Sequence, residues 1–391
     1  MRVTHVITRL IIGGAQENTV DSVLGLRQQA GLSARLICGP TGGPEGSLES
    51  SFAKIREVLT VVPPLVRAIH PWKDCRALIQ LTRLLRAQAP DVVHTHSGKA
   101  GILGRLAARR AGVPIVVHTI HGPSFGPFQS GPVNQLFRAA ERYAAPRTTH
   151  FVSVAEAMTS QYLAAGIGCP EQFTCIRSGF ALESFLKAKN DPSFRKSLGL
   201  AQTDFVVGKI ARLIKLKGHS DLLAAAPVLV ERCPRIKFLL VGDGPWQKRL
   251  KKHVRALGLE HSFVFAGLVS PSDIPRYLGV MDVLVHLSRR EGLARALPQA
   301  LAAGRPVLSY DCDGAKEICI PDETGFLIRF GDVGQFTERL LQLANAPELR
   351  EKLGRRGQTL VQEWFSVERM VEQLCLLYKK LARETTGALS L

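Results

Sequence analysis

The sequence predicts an α/β protein built from two doubly wound domains of the Rossmann type, and three observations lead to this prediction. Short apolar runs rich in β-branched residues alternate with stretches of helical periodicity through most of the 391 residues. The alternation lapses once, over residues 178–204, where Asn190, Asp191 and Pro192 form a turn signal. It then restarts, so that two successive series of strand–helix units are separated by one connector.

The predicted strands are apolar on both faces and are joined by helices, a pattern typical of a parallel sheet covered on both sides. In the first half they are Val3–Ile7, Ala34–Cys38, Val58–Val62, Asp91–His94, Ile115–His118, His150–Val154 and Phe173–Ile176. In the second half they are Phe205–Ala211, Lys237–Val241, Ser262–Ala266, Val283–Leu287, Pro306–Tyr310 and Gly325–Ile328. The helices predicted in the first half are Ala15–Ala30, Lys73–Gln88, Gly101–Ala111, Gln135–Ala144 and Ala155–Ala165.

The pattern predicts a first domain over residues 1–185, a second over 186–366, and a final helical segment over 367–391. Apolar residues recur in that segment at helical spacing, at Met370, Val371, Leu374, Leu377, Tyr378 and Leu381. No strand follows the segment, so we expect it to pack back towards the first domain. Open α/β sheets bind ligands at the carboxyl ends of their strands, which makes the cleft between the two domains the expected active site.

The composition restricts the partners. Lys and Arg number 51 against 33 Asp and Glu, a formal charge of +18 that is shared as 21 − 11 = +10 up to residue 190 and 30 − 22 = +8 beyond it. Such a spread suits an anionic small ligand together with an acidic surface such as lipid headgroups. Nucleic acid is not expected, because no basic run is interleaved with aromatic residues. An apolar fraction of 46% without low-complexity tracts excludes a fibrous or disordered protein.

The sequence predicts a cytoplasmic protein, peripheral on the cytoplasmic face of the membrane. The longest apolar run, Leu222–Val230, contains Pro227 and is half the length that a spanning helix needs. The apolar stretch between Arg2 and Arg9 is too short for the core of a secretory signal. Eight cysteines without a C-x-x-C pair indicate neither a zinc site nor a disulfide framework.

The usual nucleotide fingerprints are missing. Gly13 and Gly14 enter a helix after the first strand, where they form either a ligand-binding turn or a plain tight turn, and neither alternative is excluded. The pattern G-x-G-x-x-G fails there, and it fails again after Gly242 and Gly244, where Gln247 replaces the third glycine. NAD and ATP are therefore not indicated by their signatures.

A metal site is not predicted. Asp311-Cys312-Asp313 matches the D-x-D pattern of metal-dependent nucleotide-sugar enzymes, but a turn in which Asp313 caps a helix is the commoner origin of such a pattern. His94 and His96 are expected on one face of a strand end, with His118 near His121. Since no cysteine or carboxylate stands at ligand spacing, polar contacts in the cleft fit these histidines better than metal binding.

The second domain has the clearest functional pattern. Arg212 follows a strand and Lys217 precedes a helix, and two cations at a helix amino end form a site for a diphosphate. Glu291 follows a later strand, and Pro298 fixes the start of the next helix near it. Each charge alone is more often a solvated surface residue, but their joint placement at consecutive strand ends favours a binding site.

Residues 206–329 resemble the nucleotide-binding half of the family 4 retaining glycosyltransferases, which have the GT-B fold. The matching pieces are ARLIKLKGH, LLVGDGPW, FVFAGLVS, VHLSRREGLARALPQALAAGRPVLSYDCDGAKEI and TGFLI. The first half resembles the family more loosely, through GGAQENT, DVVHTHSGKAGILGRLAARRAGVPIVVHTIHG and FVSVAEAM. The resemblance implies an acceptor-binding first domain and a nucleotide-sugar-binding second domain, with the cleft between them.

The resemblance also implies which residues carry the reaction. The catalytic residues would be His121 at the transferred sugar, Arg212 and Lys217 at the diphosphate, and Glu291 at the sugar hydroxyls. The donor-binding positions would be Gly14, Gly242, Gly267, Leu268, Gly292, Leu293, Ala294 and Gln299. The backbone at Gly267 and Leu268 would read the base, and Gly14 would lie near the diphosphate or the acceptor. Gln299 stands where the family has a ribose-binding Glu, eight residues after Glu291.

The resemblance therefore implies a retaining, metal-independent hexosyltransferase without a cofactor. It would use an NDP-sugar, most simply UDP-linked, and a polysaccharide or lipid-linked saccharide acceptor. Two alternatives stay open. A sugar-nucleotide epimerase of the same fold would need no acceptor, and a catalytically inactive module would bind nucleotide or glycan, an alternative that Gln299 makes more plausible.

Overall fold

Two parallel sheets organise the computed structural model, which describes residues 1–43, 45–53 and 55–388, with side chains to residue 385. One unit comprises Met1–Phe180 with the helix that begins at Val367, and the other comprises Ala181–Ser366. The first sheet contains the strands β1 (Arg2–Ile7), β2 (Ser33–Cys38), β3 (Leu59–Val61), β4 (Val92–His96), β5 (Ile115–Ile120), β6 (His150–Ser153) and β7 (Phe173–Cys175). The second contains β8 (Phe205–Ile210), β9 (Ile236–Val241), β10 (Phe263–Gly267), β11 (Val283–His286), β12 (Val307–Tyr310) and β13 (Gly325–Ile328).

The order of the strands is the doubly wound order in both sheets. The first runs β3-β2-β1-β4-β5-β6-β7 and the second runs β10-β9-β8-β11-β12-β13. The chain reverses its direction of sheet growth between β1 and β4 in the first sheet, and between β8 and β11 in the second. In open parallel sheets these reversal points form the crevice in which ligands bind.

Helices cover the sheets. Those of the first unit are α1 (Gly14–Arg27), α2 (Pro71–Gln88), α3 (Gly98–Ala111), α4 (Gly131–Ala144), α5 (Glu156–Ala164) and α14 (Val367–Ala388). Those of the second are α6 (Leu182–Leu186), α7 (Pro192–Ser197), α8 (His219–Arg232), α9 (Gln247–Ala256), α10 (Ile274–Gly279), α11 (Ala296–Ala302), α12 (Val333–Asn345) and α13 (Pro347–Trp364). None of the helices in the described part of the chain is long and apolar enough to cross a membrane.

The first sheet has a separate apolar core on each face. On one face α1 and α14 pack together over β1 and β2, and on the other α2 and α3 pack over β1 and β4. The face of α14 with helical apolar periodicity is the buried one, and Tyr378 has no exposed surface there. Gly25 allows the approach of α1 to α14, because a Cβ atom at this position would lie 2.4 Å from Cγ2 of Val371.

The predicted fold class is confirmed, and all thirteen predicted strands are present with ends shifted by at most two residues. The region 178–204, predicted as irregular, contains the short helices α6 and α7. The Asn-Asp-Pro turn signal begins α7: Asp191 Oδ1 accepts hydrogen bonds from the backbone N–H groups of Ser193 (2.9 Å) and Phe194 (3.2 Å). A carboxylate followed by proline is also a helix start signal, and here that role prevails.

Candidate functional site

The functional residues predicted in the second unit lie around the reversal point of its sheet. Arg212 and Lys217 follow β8, and Glu291 follows β11, the neighbouring parallel strand. Because both strands end at the same edge, their following loops meet there. Lys217 Nζ forms an ion pair with Glu291 Oε1, and each side chain is about four-fifths buried. The structure thus joins directly two residues that are 74 positions apart in sequence.

The Glu291 carboxylate is ionised. Burial by itself raises the pKa of Glu291, but Lys217 and His286 more than offset it and hold that pKa well below its ordinary value. Nε2 of His286, the last residue of β11, lies 3.4 Å from Glu291 Oε1. Burial lowers the pKa of His286 in spite of this carboxylate. The pair therefore presents a fixed carboxylate and a fixed ammonium at one strand end, and a second anion at Lys217 would compete with Glu291.

The turn between β8 and α8 is fixed by a side-chain hydrogen bond and by a close approach of two backbone segments. His219, at the start of α8, donates from Nε2 to the carbonyl oxygen of Arg212 at 3.0 Å. Burial lowers the pKa of His219 to about 3, so this imidazole is neutral. Gly218 has φ +64°, and a Cβ atom there would lie 1.9 Å from the carbonyl oxygen of Leu287. Only glycine permits this approach, which brings the Lys217 turn against the end of β11.

The loop that carries Glu291 is tied to the end of β12. Asp313 Oδ2 accepts a hydrogen bond of 2.7 Å from the backbone N–H of Glu291, and the Gly314 N–H donates to Gly292 O at 2.9 Å. The capping position of the 3₁₀ turn Asp313–Glu317 is occupied by Cys312 and not, as predicted, by Asp313, which is the first residue of the turn. The carboxylate instead orients the Glu291 loop, a role for which the sequence pattern gave no signal.

The other second-unit positions that are predicted to bind the donor lie along the same edge. Gly242 donates its N–H to Gly267 O at 2.8 Å, which links the ends of β9 and β10, and Leu268 beside them is 43% exposed. The helix α11 begins at Ala296, so Pro298 lies in its first turn as predicted. Gln299 lies one residue further on and is 7% exposed.

Leu293 is buried, at 8% exposed, in the loop between Glu291 and α11, while Gly292 and Ala294 beside it take part in backbone hydrogen bonds. A cavity of about 250 Å³ opens beside this loop at the amino end of α8. Its lining residues are Lys215, Gly218, Ser220, Asp221, Trp246, Arg249 and Arg289. Three of these are cations against one carboxylate, so the cavity favours an anionic ligand.

A buried lysine that the sequence motifs did not indicate lies close to this site. Lys209, on β8, is 1% exposed and its Nζ has no hydrogen-bond partner among the described residues. Burial, reinforced by Lys217, lowers its pKa to about 7, while Asp221 and Glu291 act in the opposite direction. Its place within an otherwise apolar strand was the available sequence signal.

We expect Lys209→Met to raise the free energy of unfolding by about 1–4 kcal/mol at pH 6, since a buried charge without a close partner is replaced by a packed apolar chain. A folded-state pKa of about 7 against an unfolded value near 10.5 means that the unfolded chain binds more protons between these pH values. The free energy of unfolding of the wild type therefore rises with pH between these two pKa values, because Lys209 is neutral in the folded chain. The difference in free energy of unfolding that favours the methionine variant becomes smaller. Urea unfolding at pH 6, 8 and 10 measures it; a variant less stable at pH 6 would contradict the account.

In the first unit, Gly14 and His121 lie at the corresponding edge of the other sheet. Gly14 begins α1 directly after the loop that follows β1, so backbone N–H groups of the first helical turn are available to a ligand at this end. His121 follows β5, and its Nε2 lies 3.0 Å from Nδ1 of His96 at the end of β4. The ring centroids are 5.2 Å apart.

The other strand histidines behave as a layer of polar contacts. His94 and His96 share one face of β4 as predicted, with ring centroids 4.5 Å apart. His118 bonds instead to Thr95, with 2.9 Å between its Nδ1 and the threonine Oγ1.

Ser97, directly after β4, has φ +65°, a conformation that costs an L residue about 1–3 kcal/mol and is commonest at functional sites.

Comparison with known proteins covers almost the whole chain. Residues 190–360 match the family described as Glycosyl transferases group 1, and residues 13–177 match the Glycosyl transferase 4-like domain. The chain is 30% identical over 325 residues to EpsD of Bacillus subtilis (strain 168), covering 81% of this chain and 83% of that protein. It is 29% identical over 382 residues to the Escherichia coli UDP-Gal:alpha-D-GlcNAc-diphosphoundecaprenol alpha-1,3-galactosyltransferase, covering 97% and 96%.

Solved structures share the fold. HepE of Anabaena in complex with UDP and glucose aligns with a TM-score of 0.83 and 21% identity, over 97% of this chain and 99% of that chain. The sucrose-phosphate synthase of Thermosynechococcus elongatus aligns with a TM-score of 0.81 and 18% identity, over 97% and 99%. At these identities the likeness is one of architecture.

Proposed function

We propose that this chain, which belongs to the family 4 retaining glycosyltransferases of the GT-B fold, transfers a hexose-type sugar from a UDP-sugar to a lipid-linked saccharide or a polysaccharide. The observation that carries the proposal is the ion pair of Lys217 and Glu291 at the reversal point of the second sheet, with Arg212 in the same loop after β8 as Lys217. A diphosphate and a sugar with free hydroxyls need cations and a carboxylate side by side.

The proposed chemistry needs stabilisation of a leaving diphosphate. The bond between the sugar C1 and the diphosphate oxygen breaks, and negative charge grows on that oxygen. Lys217 and Arg212 offset this charge, and backbone N–H groups at the start of α8 add to the field. Two side-chain cations are sufficient for this role, so the proposal assigns no metal and no cofactor.

Retention of configuration follows from attack on the same face of the sugar. The acceptor oxygen forms its bond to C1 as the diphosphate leaves, and the acceptor proton passes to an oxygen of the departing phosphate. Glu291 accepts hydrogen bonds from donor sugar hydroxyls, and His121 contacts the transferred sugar. Atoms balance without a covalent enzyme intermediate, so the paired carboxylates of retaining hydrolases are not needed.

The acceptor is proposed to be lipid-linked or polymeric. The Escherichia coli relative is named for transfer of galactose to a diphosphoundecaprenol-linked sugar, and it aligns over nearly its full length. HepE was solved with UDP-glucose as well as with UDP. We assign the first unit to the acceptor and the second to the UDP-sugar.

A lipid-linked acceptor suggests an anionic membrane surface at the cytoplasmic face. The loop 122–132 is rich in Pro and Gly, and its composition predicts that Phe125 and Phe128 are exposed towards a lipid-linked acceptor or the membrane. In the structure Phe125 is instead buried against Tyr162, with ring centroids 5.1 Å apart. Four apolar side chains on α4 and around the start of α2 are 58–79% exposed, namely Ile69, Trp72, Leu136 and Tyr143. Both helices pack on α3, and the exposed α2 surface includes Lys73, Arg76 and Arg83.

We expect the chain to co-sediment with vesicles that contain anionic lipid and less with neutral ones, because each cation near an anionic surface contributes about 1 kcal/mol. Trp72→Ser and Leu136→Ser should each reduce the bound fraction. Leu376→Ser is the matched control, since Leu376 is 61% exposed on α14, over the opposite face of the sheet, against 60% for Leu136. Equal binding to both vesicle types, or equal loss in the control, counts against this surface.

Gln299 is proposed to contact the ribose. Because a carboxylate forms stronger hydrogen bonds to hydroxyls than an amide does, Gln299→Glu should tighten UDP binding by about 0.5–1.5 kcal/mol. Gln299→Ala should weaken it. Arg289, Arg290 and Arg295 flank the helix and tolerate the added charge. Titration calorimetry with UDP on the three proteins decides; identical affinities would remove Gln299 from the ribose.

The function is tested by incubating the protein with a panel of UDP- and GDP-sugars while measuring nucleotide release and sugar identity. A transferase releases UDP slowly from one of the donors when no acceptor is present, and it releases UDP faster when acceptor is added. An epimerase would convert the sugar without an acceptor, and an inactive module would bind UDP without turnover. Either of these results overturns the proposal.

A further inference from the structure

A chain of buried imidazoles leads from His121 into the first unit. His5 on β1 and His96 on β4 are 0% and 1% exposed. Nδ1 of His5 lies 2.8 Å from Nε2 of His96, and Nδ1 of His96 lies 3.0 Å from Nε2 of His121. Two imidazole–imidazole hydrogen bonds therefore link His121, at the carboxyl edge of the sheet, with His5, within strand β1.

The cluster is better described by hydrogen bonds than by a metal. His5, His94 and His96 offer nitrogens within 4.8 Å of one another, but both nitrogens of His94 are engaged, by Tyr378 Oη and Thr119 Oγ1 at 2.5 Å each. The set contains no anionic ligand. Burying a dication among residues of at most 1% exposure is costly without such a ligand.

The protons of the chain are coupled. Burial lowers the pKa of His5 to about 3 and that of His96 well below its ordinary value, so both rings are neutral. A neutral imidazole has one N–H and one acceptor nitrogen. Since both nitrogens of His96 are engaged, the two hydrogen bonds run in the same direction, either towards His121 or towards His5.

The inner end of the chain decides the direction. Nε2 of His5 is buried and has no partner among the described residues. Hydrogen bonds that ran inward would leave an N–H donor at this nitrogen, and buried N–H donors without a partner are rarer in native proteins than under-satisfied acceptors. Outward hydrogen bonds leave only a lone pair there. His5 then donates to His96, and His96 donates from Nδ1 to Nε2 of His121.

We propose that His96 and His5 are positioning residues for His121, fixing its ring through Nε2 and placing its proton on Nδ1. This rests on the proposed function, in which His121 contacts the transferred sugar. A single tautomer gives the sugar a defined donor at Nδ1, and the N–H of His96 selects this tautomer because it occupies Nε2 of His121 as a donor. The fold therefore orients the His121 ring before the substrate binds.

Nitrogen NMR of the ¹⁵N-histidine-labelled protein tests the tautomer directly. The His121 signals, assigned by their loss in His121→Asn, should show a protonated Nδ1 in the wild type. In His96→Leu they should shift towards a protonated Nε2. A protonated Nε2 in the wild type, or an unchanged pattern in His96→Leu, overturns the proposal.

Kinetics of two matched amides test the positioning role. Asparagine places a polar group near the position of Nδ1 in histidine, and glutamine near that of Nε2. His96→Asn should therefore keep the contact with His121 and retain kcat within about threefold, while His96→Gln should lower kcat by about 10–100-fold with an unchanged donor KM. Equal effects of the two amides at equal melting temperature would overturn the proposal.

Two controls separate this proposal from the proposed function. Full activity of His121→Ala would refute the catalytic assignment of His121 itself, whatever the tautomer. Loss of activity in His121→Ala with wild-type activity in His96→Gln would refute the positioning role alone. Inactivation by EDTA that Zn²⁺ reverses would assign the cluster to a metal and also overturn the proposal.

Discussion

Replacing Lys217 or Arg212 with alanine is expected to lower turnover by about 10²–10³-fold, the typical loss for one preorganised group that stabilises developing charge. The effect should fall on kcat, because charge on the diphosphate grows as the sugar bond breaks. Lys217→Ala also leaves Glu291 without its ion-pair partner in a site that is about four-fifths buried. Part of its effect will therefore reach donor binding.

Steady-state kinetics beside a thermal melt separates chemistry from folding. The matched control is Arg232→Ala, which removes a cation at the carboxyl end of the same helix α8, where Arg232 pairs with Glu338 at half exposure. This control should retain wild-type turnover. Near-normal turnover in both site variants would remove the diphosphate from this edge of the sheet.

Glu141→Ala is expected to lower the free energy of unfolding by about 3–5 kcal/mol, the cost of leaving one buried charge without its partner. Arg105 Nη2 donates to Glu141 Oε2 at 2.6 Å, and neither side chain has exposed surface. Arg105 also donates from Nε to Gly101 O at 2.8 Å, which fixes the guanidinium on α3 against α4. Alanine at 141 leaves that guanidinium uncompensated.

Urea unfolding followed by circular dichroism measures this change. The double variant Arg105→Met with Glu141→Leu should recover most of the loss, since it removes both charges and keeps the volume. Glu351→Ala, in the exposed pair with Arg355, should cost less than about 1 kcal/mol. A loss at Glu141 no larger than that at Glu351 would contradict the burial of this pair.

The strands, and the meeting of Lys217 with Glu291 at one edge of the second sheet, were predictable because their signals are local. A buried parallel strand such as Val283–His286 is a short apolar run between turn residues, and Pro298 can occupy a helix only in its first turn. Arg212, Lys217 and Glu291 could be grouped because parallel strands end at one edge of a sheet. The strand pattern alone is enough to place these residues at one edge, without any interatomic distance.

The contacts that orient these residues could not be predicted, since they join distant parts of the chain. Asp313 holds the Glu291 N–H across 22 residues, and His5 reaches His96 across 91. Strand order, which brings β1 beside β4, decides the second contact. Phe125 was misjudged because a loop rich in Pro and Gly gives no sign of which side chain turns inward.

The central claim is tested most directly by mixing the protein with a UDP-sugar and a lipid-diphosphate-linked saccharide and following the reaction by proton NMR. The account predicts one UDP released for each new glycosidic bond, with the donor's α configuration retained in the product and an unchanged rate in EDTA. Three results would contradict the account. They are a β-linked product, conversion of the donor sugar in the absence of acceptor, and binding of UDP-sugar without turnover when the acceptor is present.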